Sequence, residues 1–387
     1  MRLNPDSRAW TRAGIALWAI PLGVISVLVA RHPAAHSVMP VYHDAAARWW
    51  ARTDLYGGPD YHYLPHFAIL FSPFHALPAA VGDVVWRWLS TGLLAGALWQ
   101  WVGRDQLAGA PRRFFWASLI GFTLCLPAIR NGQANVLFGA LLAHAALRLG
   151  RAEWWRALGL LLLAMMIKPL AIVMLLLAGV VYRPLIGRAV VGFVALAGFP
   201  FLFGPPAYVL TECRAALVHL GEVSLVTEHR FADLNGLFRT LGHPLTGRWS
   251  QMVRAGAGAA TLALWWRAAS RLREPRRAEL LLALSTTYLM VFNPMTELNS
   301  YVILAPVLAA YALRFLAEPA RRAAGWFLVF ALVSMGLGPE LFRPWDPQFA
   351  LWWFPVMALG AMTTILASER GAPTGWPGTP GPEETGR

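Results

Sequence analysis

Lysine is almost missing from this 387-residue chain: of 33 basic residues, only Lys168 is a lysine. The bias towards arginine reads as genomic base composition, and it sets the one lysine apart. Charged residues of either sign make up 14%, against about a quarter in an ordinary soluble domain, which excludes that class. Two cysteines, Cys125 and Cys213, are too few for a disulfide framework or a cysteine-based metal cluster. No segments of about ten residues alternate apolar and polar positions, which excludes a transmembrane β-barrel. No period of about 20–50 residues appears, so a repeat architecture is not expected.

What the chain has is apolar length. Hydrophobic residues make up 57%, and the mean hydropathy is +0.49. Runs such as GIALWAIPLGVISVLVA (14–30) and LGLLLLAMMIKPLAIVMLLLAGVVY (158–182) can cover a hydrocarbon layer of about 30 Å. The composition predicts an all-α polytopic membrane protein of about 10 to 12 crossings. A net charge of +13 suggests nucleic acid at first sight. The arginines, however, stand dispersed at segment ends, where they set topology, so membrane lipids are the expected partners and nucleic acid is not. The first apolar run is too long and too poorly punctuated for a cleaved signal and reads as an anchor.

The arginine pattern places residues 1–12 on the cytoplasmic side and 31–64 outside. Within that outer stretch, VMPVYHDAAARWWART predicts a short helix after Pro40, with Tyr42, Trp49 and Trp50 at the headgroup level. Residues 63–82, broken by Pro65, Pro73 and Pro78, form either a short crossing or a re-entrant piece. The run 157–182 is interrupted at Lys168-Pro169 and flanked by Arg156, Arg183 and Arg188. That pattern favours either a broken segment or a hairpin with Lys168 at its turn. The longest loop, 205–248, and the segment NPMTELNS at 293–300 are expected outside. Residues 1–367 read as one membrane domain, and 368–387 as a Gly/Pro-rich, disordered cytoplasmic tail.

Ionisable groups among apolar segments are costly, and so are paired or functional. Lys168 can hold a phosphate as a point charge, or it can pair with a buried carboxylate. Asp44 can act as a general base, or be a solvated loop charge. Asp54 is an alternative to it, and Asp60 after Gly57-Gly58-Pro59 reads as turn chemistry. His62 and His66 are four apart, but Pro65 breaks the straight helix that a zinc pair needs. No metal set and no cofactor motif is expected. Asn131, Gln133, Asn135 and Asn235 can contact sugar hydroxyls or satisfy backbone groups. Glu297, with Asn299 in a loop that has no basic residue, is a second polar anchor.

The Asp44 loop, YHYLPHFAILFSPF, NGQANVLFGALL, the IKP break and NPMTELNSYVILAP together resemble the polyprenol-phosphate-mannose-dependent mannosyltransferases of glycosyltransferase family 87. The resemblance runs over residues 14 to about 315. It departs from the family where His66 follows Pro65 in place of a second proline, and where Asn293-Pro294, Glu297 and Asn299 occupy the late loop. It implies a GT-C multi-helix fold and an inverting transfer at the extracytoplasmic face of the cell membrane. A hexose, mannose by the family pattern, would pass from a polyprenyl-phosphate sugar donor to a lipid-linked or glycan acceptor. By that pattern Asp44 is the base. His43, Tyr63, His66, Asn131, Gln133, Asn135, Asn235, Glu297 and Asn299 are candidate substrate contacts, and Lys168, Arg130 or Arg230 would stabilise the leaving phosphate. A phosphate leaves as an anion, so the paired carboxylates of glycosidases are not required. The alternatives are a transporter or flippase with Lys168 and Glu297 along a path, and a membrane acyl- or polymer-ligating enzyme.

Overall fold

The structure, a computed structural model, describes residues 5–58, 60–103, 109–223 and 231–370. Among the described residues there is no strand, and the chain is 82% helix. Helices are what an apolar chain must form when each segment has to satisfy its own backbone amides. Six segments are long and apolar enough to cross a bilayer: Ser7–Arg31, Ala110–Asn131, Pro184–Leu202, Leu298–Ala317, Pro319–Phe342 and Phe349–Arg370. The protein is therefore a multi-pass membrane protein.

Helix α1 (Pro5–Arg31) is followed by α2 (Met39–Ala51), α3 (Pro65–His75) and α4 (Ala79–Gly103). The α3–α4 pair bends by 115° at the Ala76–Pro78 break. Eleven residues of α3 span only about 16 Å, so α3 does not cross by itself. Residues 63–82 are thus not one straight crossing, and α3 packs against α2. Helix α5 (Ala110–Asn131) and α6 (Ala134–Leu149) follow, then α7 (Trp154–Ile167) and α8 (Ile172–Val181). Rings of Trp154 at the start of α7 and Tyr182 after α8 lie 5.8 Å apart. This closes α7 and α8 into the expected hairpin, with Lys168 at its turn.

Helix α9 (Pro184–Gly198) leads to α10 (Pro206–Val223) and α11 (Leu234–Thr240). The stretch expected as one long loop therefore carries two helices, α11 being capped by the Asp233 carboxylate, which accepts from Gly236 N–H at 2.8 Å. Helices α12 (Gly247–Ala269), α13 (Arg276–Phe292), α14 (Ala305–Ala317), α15 (Arg322–Phe342) and α16 (Phe349–Arg370) complete the bundle. The expected tail beyond Arg370 lies outside the described residues.

The helices run between two ends. At the loop end, Val38 N–H donates to Asn131 O at 3.0 Å, Arg52 to Phe203 O at 2.8 Å and Tyr208 hydroxyl to Thr53 O at 2.9 Å. The opposite, basal end carries arginine clusters such as Arg148, Arg151, Arg276, Arg277, Arg321 and Arg322. There Arg314, on α14, pairs with Glu279 of α13 and Glu369 of α16. The expectation for α2 needs one correction. Tyr42 and Trp49 are fully buried beneath neighbouring elements, and Trp50 alone of the three aromatics is exposed on this helix. An amphipathic ring suits a protein interior as well as a headgroup layer, and here the interior takes two of them.

Candidate active site

The site is built around the α5–α6 corner. Asn131 ends α5, and Gly132 turns the chain with φ +77°. A Cβ at Gly132 would lie 2.8 Å from Met39 Sδ and 2.9 Å from Arg87 Nη2, so both conformation and space require glycine. Gln133 then starts α6, and its Nε2 donates to Glu297 Oε2 at 3.1 Å. Two residues on, Asn135 Nδ2 donates to Ser300 Oγ at 3.0 Å. Two polar segments 164 residues apart are thereby joined at the loop end of the bundle.

Lys168 comes to the same place from the hairpin. It precedes Pro169 and takes the extended conformation, φ −138° and ψ 126°, which the proline ring favours. Its Nζ lies 5.6 Å from the centre of the Tyr63 ring. The side chain is half-buried, and among the described residues no carboxylate stands within ion-pair distance of it. Glu297 is close enough for its charge to be felt by Lys168, Tyr42 and Tyr63. Tyr63 and Tyr42 hydroxyls meet at 2.9 Å, and Ala134 N–H donates to the Tyr42 oxygen at 3.2 Å. Burial pushes Tyr42 up to about 12 and Tyr63 well above its usual value; both stay protonated at any working pH.

Asp44 is placed differently. Two residues along a helix turn the side chain about 200°, so α2 presents Tyr42 inward and Asp44 to the opposite side. Its Oδ2 accepts from Arg48 Nε at 2.6 Å. The backbone at Gly58 folds over it, so that a Cβ there would lie 3.0 Å from Oδ2. The carboxylate is 53% exposed, and Oδ1 is left open. His43, next to it, donates through Nε2–H to Asp83 Oδ1 at 2.9 Å and shares a 3.2 Å contact with His75.

The remaining candidates are held elsewhere. His66 is buried, its Nε2 bonded to Leu196 O at 2.8 Å and its ring stacked on Phe199. Asn131 Nδ2 donates to His36 O, Asn235 Oδ1 accepts from Leu245 N–H at 2.8 Å, and Asn299 is half-buried in the turn after Glu297. Arg230 lies outside the described residues. The structure also brings in groups that sequence reasoning passed over. Arg87, 1% exposed, donates to Ile129 O, Arg130 O and Asp83 O, satisfying the last carbonyls of α5. The signal was an Asp-x-x-x-Arg pair in an apolar segment, spaced to share one helix face. His62 and His219 meet at 2.9 Å between the loop and α10.

A model of glycosyltransferase family 87 matches residues 61–295, more than half of the chain. The chain belongs to glycosyltransferase family 87. No curated protein and no solved structure matches it. This family-87 protein is a membrane glycosyltransferase, with a sugar donor, an acceptor and lipid as its partners, which displaces the transporter and polymer-ligase alternatives. The matched segment takes in Tyr63, Gln133 and Lys168; Asp44 precedes it and Glu297 follows it by two residues.

Proposed function

We propose that this family-87 glycosyltransferase moves a hexose, mannose, from a polyprenyl phosphate to a lipid-linked or glycan acceptor, with inversion, on a GT-C scaffold. The observation that carries the donor class is Lys168. An ammonium at the turn of an apolar hairpin, with no salt bridge among the described residues, loses hydration and regains little from an aromatic face. A phosphate with its lipid chain in the surrounding bilayer supplies the missing anion, and a lysine suits it as a point charge.

In the proposed step, Asp44 takes the proton of an acceptor hydroxyl. The oxygen attacks the anomeric carbon, and the carbon–oxygen bond to phosphate breaks on the opposite face. The polyprenyl phosphate leaves as an anion, neutralised by Lys168. Asp44 suits the base because Arg48 occupies one oxygen and leaves the other exposed. One observation favours a second assignment of the base. Glu297 is an exposed carboxylate within the same cluster as Gln133 and Lys168.

The loop end is proposed to face outside in the cell membrane. The basal arginines then lie on the cytoplasmic side, as the positive-inside bias requires. A cysteine placed at position 44 should react with a membrane-impermeant thiol reagent added outside intact cells. Labelling only after the cytoplasmic side is opened would reverse the orientation.

A further inference from the structure

Tyr42 and Tyr63 carry two hydroxyl protons, and their mutual contact can use only one of them. The Tyr42 oxygen already accepts from Ala134 N–H, and Tyr42 is 1% exposed. The only acceptor within reach of its proton among the described residues is the Tyr63 oxygen, 2.9 Å away. Reversing that bond would leave the Tyr42 proton bare in closed space, and an unmade buried hydrogen bond is costly. The bond therefore runs from Tyr42 to Tyr63. Among the described residues the Tyr63 proton is then left without an acceptor, in a residue that is itself 8% exposed. The ammonium of Lys168 stands over the same ring, 5.6 Å from its centre, and cannot accept. A buried phenol donor, with a cation over its ring that has no ion-pair partner among the described residues, is half of an anion site.

We propose that Ala134, Tyr42 and Tyr63 form a directed hydrogen-bond relay whose free end, the Tyr63 hydroxyl, donates to the phosphate oxygen that Lys168 attracts. Tyr63 touches the substrate in this arrangement, and Tyr42 is a positioning residue that fixes where the Tyr63 proton points. The inference rests on the reading of Lys168 as the phosphate cation, and it adds the neutral donor that sets the direction of approach. It also accounts for the backbone: the amide of Ala134 at the start of α6 reaches the site through two phenols, not directly. Raised Tyr42 and Tyr63 values, both caused first by burial, keep each link a hydroxyl.

The probes are a polyprenyl phosphate and the corresponding uncharged polyprenol, bound to the full-length protein in lipid nanodiscs. The quantity read is the ratio of the two affinities within one preparation, in which loss of folded protein cancels. Tyr63→Phe should lower the ratio about tenfold or more, the worth of a hydrogen bond to a charged group. Tyr42→Phe, which keeps the ring and removes the orienting donor together with the acceptor of the Ala134 amide, should lower it about two- to threefold, with little change in polyprenol affinity. A parental ratio in Tyr63→Phe alongside a reduced one in Lys168→Met overturns the relay and leaves the phosphate reading standing. Parental ratios in both variants overturn both. If Tyr63→Phe does not fold, a parental ratio in Tyr42→Phe overturns the relay.

Discussion

Replacing Lys168 by methionine separates a ligand role from a structural one, because the two predict opposite signs for stability. Methionine keeps the unbranched stem and removes the charge. A phosphate oxygen about 4 Å from the ammonium, at an effective dielectric near 20, is attracted by about 4 kcal/mol. Desolvation offsets part of this, and the net for a hydrogen bond to a charged group is about 1.5–3 kcal/mol. Donor affinity should therefore fall by about 10- to 150-fold. The ammonium makes no ion pair within the described protein, so its removal relieves a desolvation cost. The thermal midpoint of Lys168→Met should be equal to or above that of the parent. Affinity is read by titrating a polyprenyl phosphate into nanodisc protein, and stability by a melt of the same preparation without ligand. Parental affinity with a lowered midpoint would refute the reasoning, since it would make Lys168 a partner of the fold and not of the substrate.

Other perturbations probe the frame around the site. Arg314→Met leaves Glu279 and Glu369 buried without their shared partner and should cost about 3–5 kcal/mol, seen as a lowered melting midpoint with donor affinity per folded molecule unchanged. Gly132→Ala places a methyl against Met39 and Arg87 at a left-handed φ; it should destabilise by more than about 1 kcal/mol and reduce transfer, which a rate and a melt together would show. His62 is held below its usual value by burial and then by His219. Its folded form thus binds a proton less readily than the unfolded chain, and the stability it contributes is present above about pH 6.5 and lost as pH falls further. The melting midpoint should drop on acidification from pH 7.5 to pH 5, the change setting in near pH 6.5 and growing below it, and the drop should shrink in His62→Phe.

Several features could be read before the fold was seen. The apolar runs, the break at Lys168-Pro169 and its flanking arginines were enough to predict a broken segment or a hairpin, because a proline and a charge cannot continue an apolar helix unremarked. The polar knots around Gln133 and Glu297 stood out for the same reason, and the structure bonds them to each other. What could not be read was direction. Residues two apart on α2 look equally polar in sequence, yet Tyr42 points to Tyr63 and Asp44 points to Gly58. Nor could the pattern tell Trp49, buried, from Trp50, exposed, since period and aromatic character are the same for both. Arg87, inside an apolar segment, gives no sign in the sequence that its fork caps the carbonyls of α5. Tyr42 reads in sequence only as an interfacial aromatic, because its part in the site depends on a backbone amide 92 residues away.

Hexose transfer from a polyprenyl phosphate is tested most directly by giving the purified protein in proteoliposomes labelled polyprenyl-phosphate-mannose with an acceptor lipid extract, and timing appearance of label in the acceptor fraction. The parent should transfer label with inverted anomeric configuration, and Asp44→Asn should fall by about 10²-fold or more, the usual contribution of a general base, while Glu297→Gln keeps the larger part of the rate. An Asp44→Asn protein that transfers at the parental rate would contradict the assignment of the base, and a collapse confined to Glu297→Gln would move it to that carboxylate. A parent that binds the donor and transfers no label to any acceptor would contradict the proposed reaction itself.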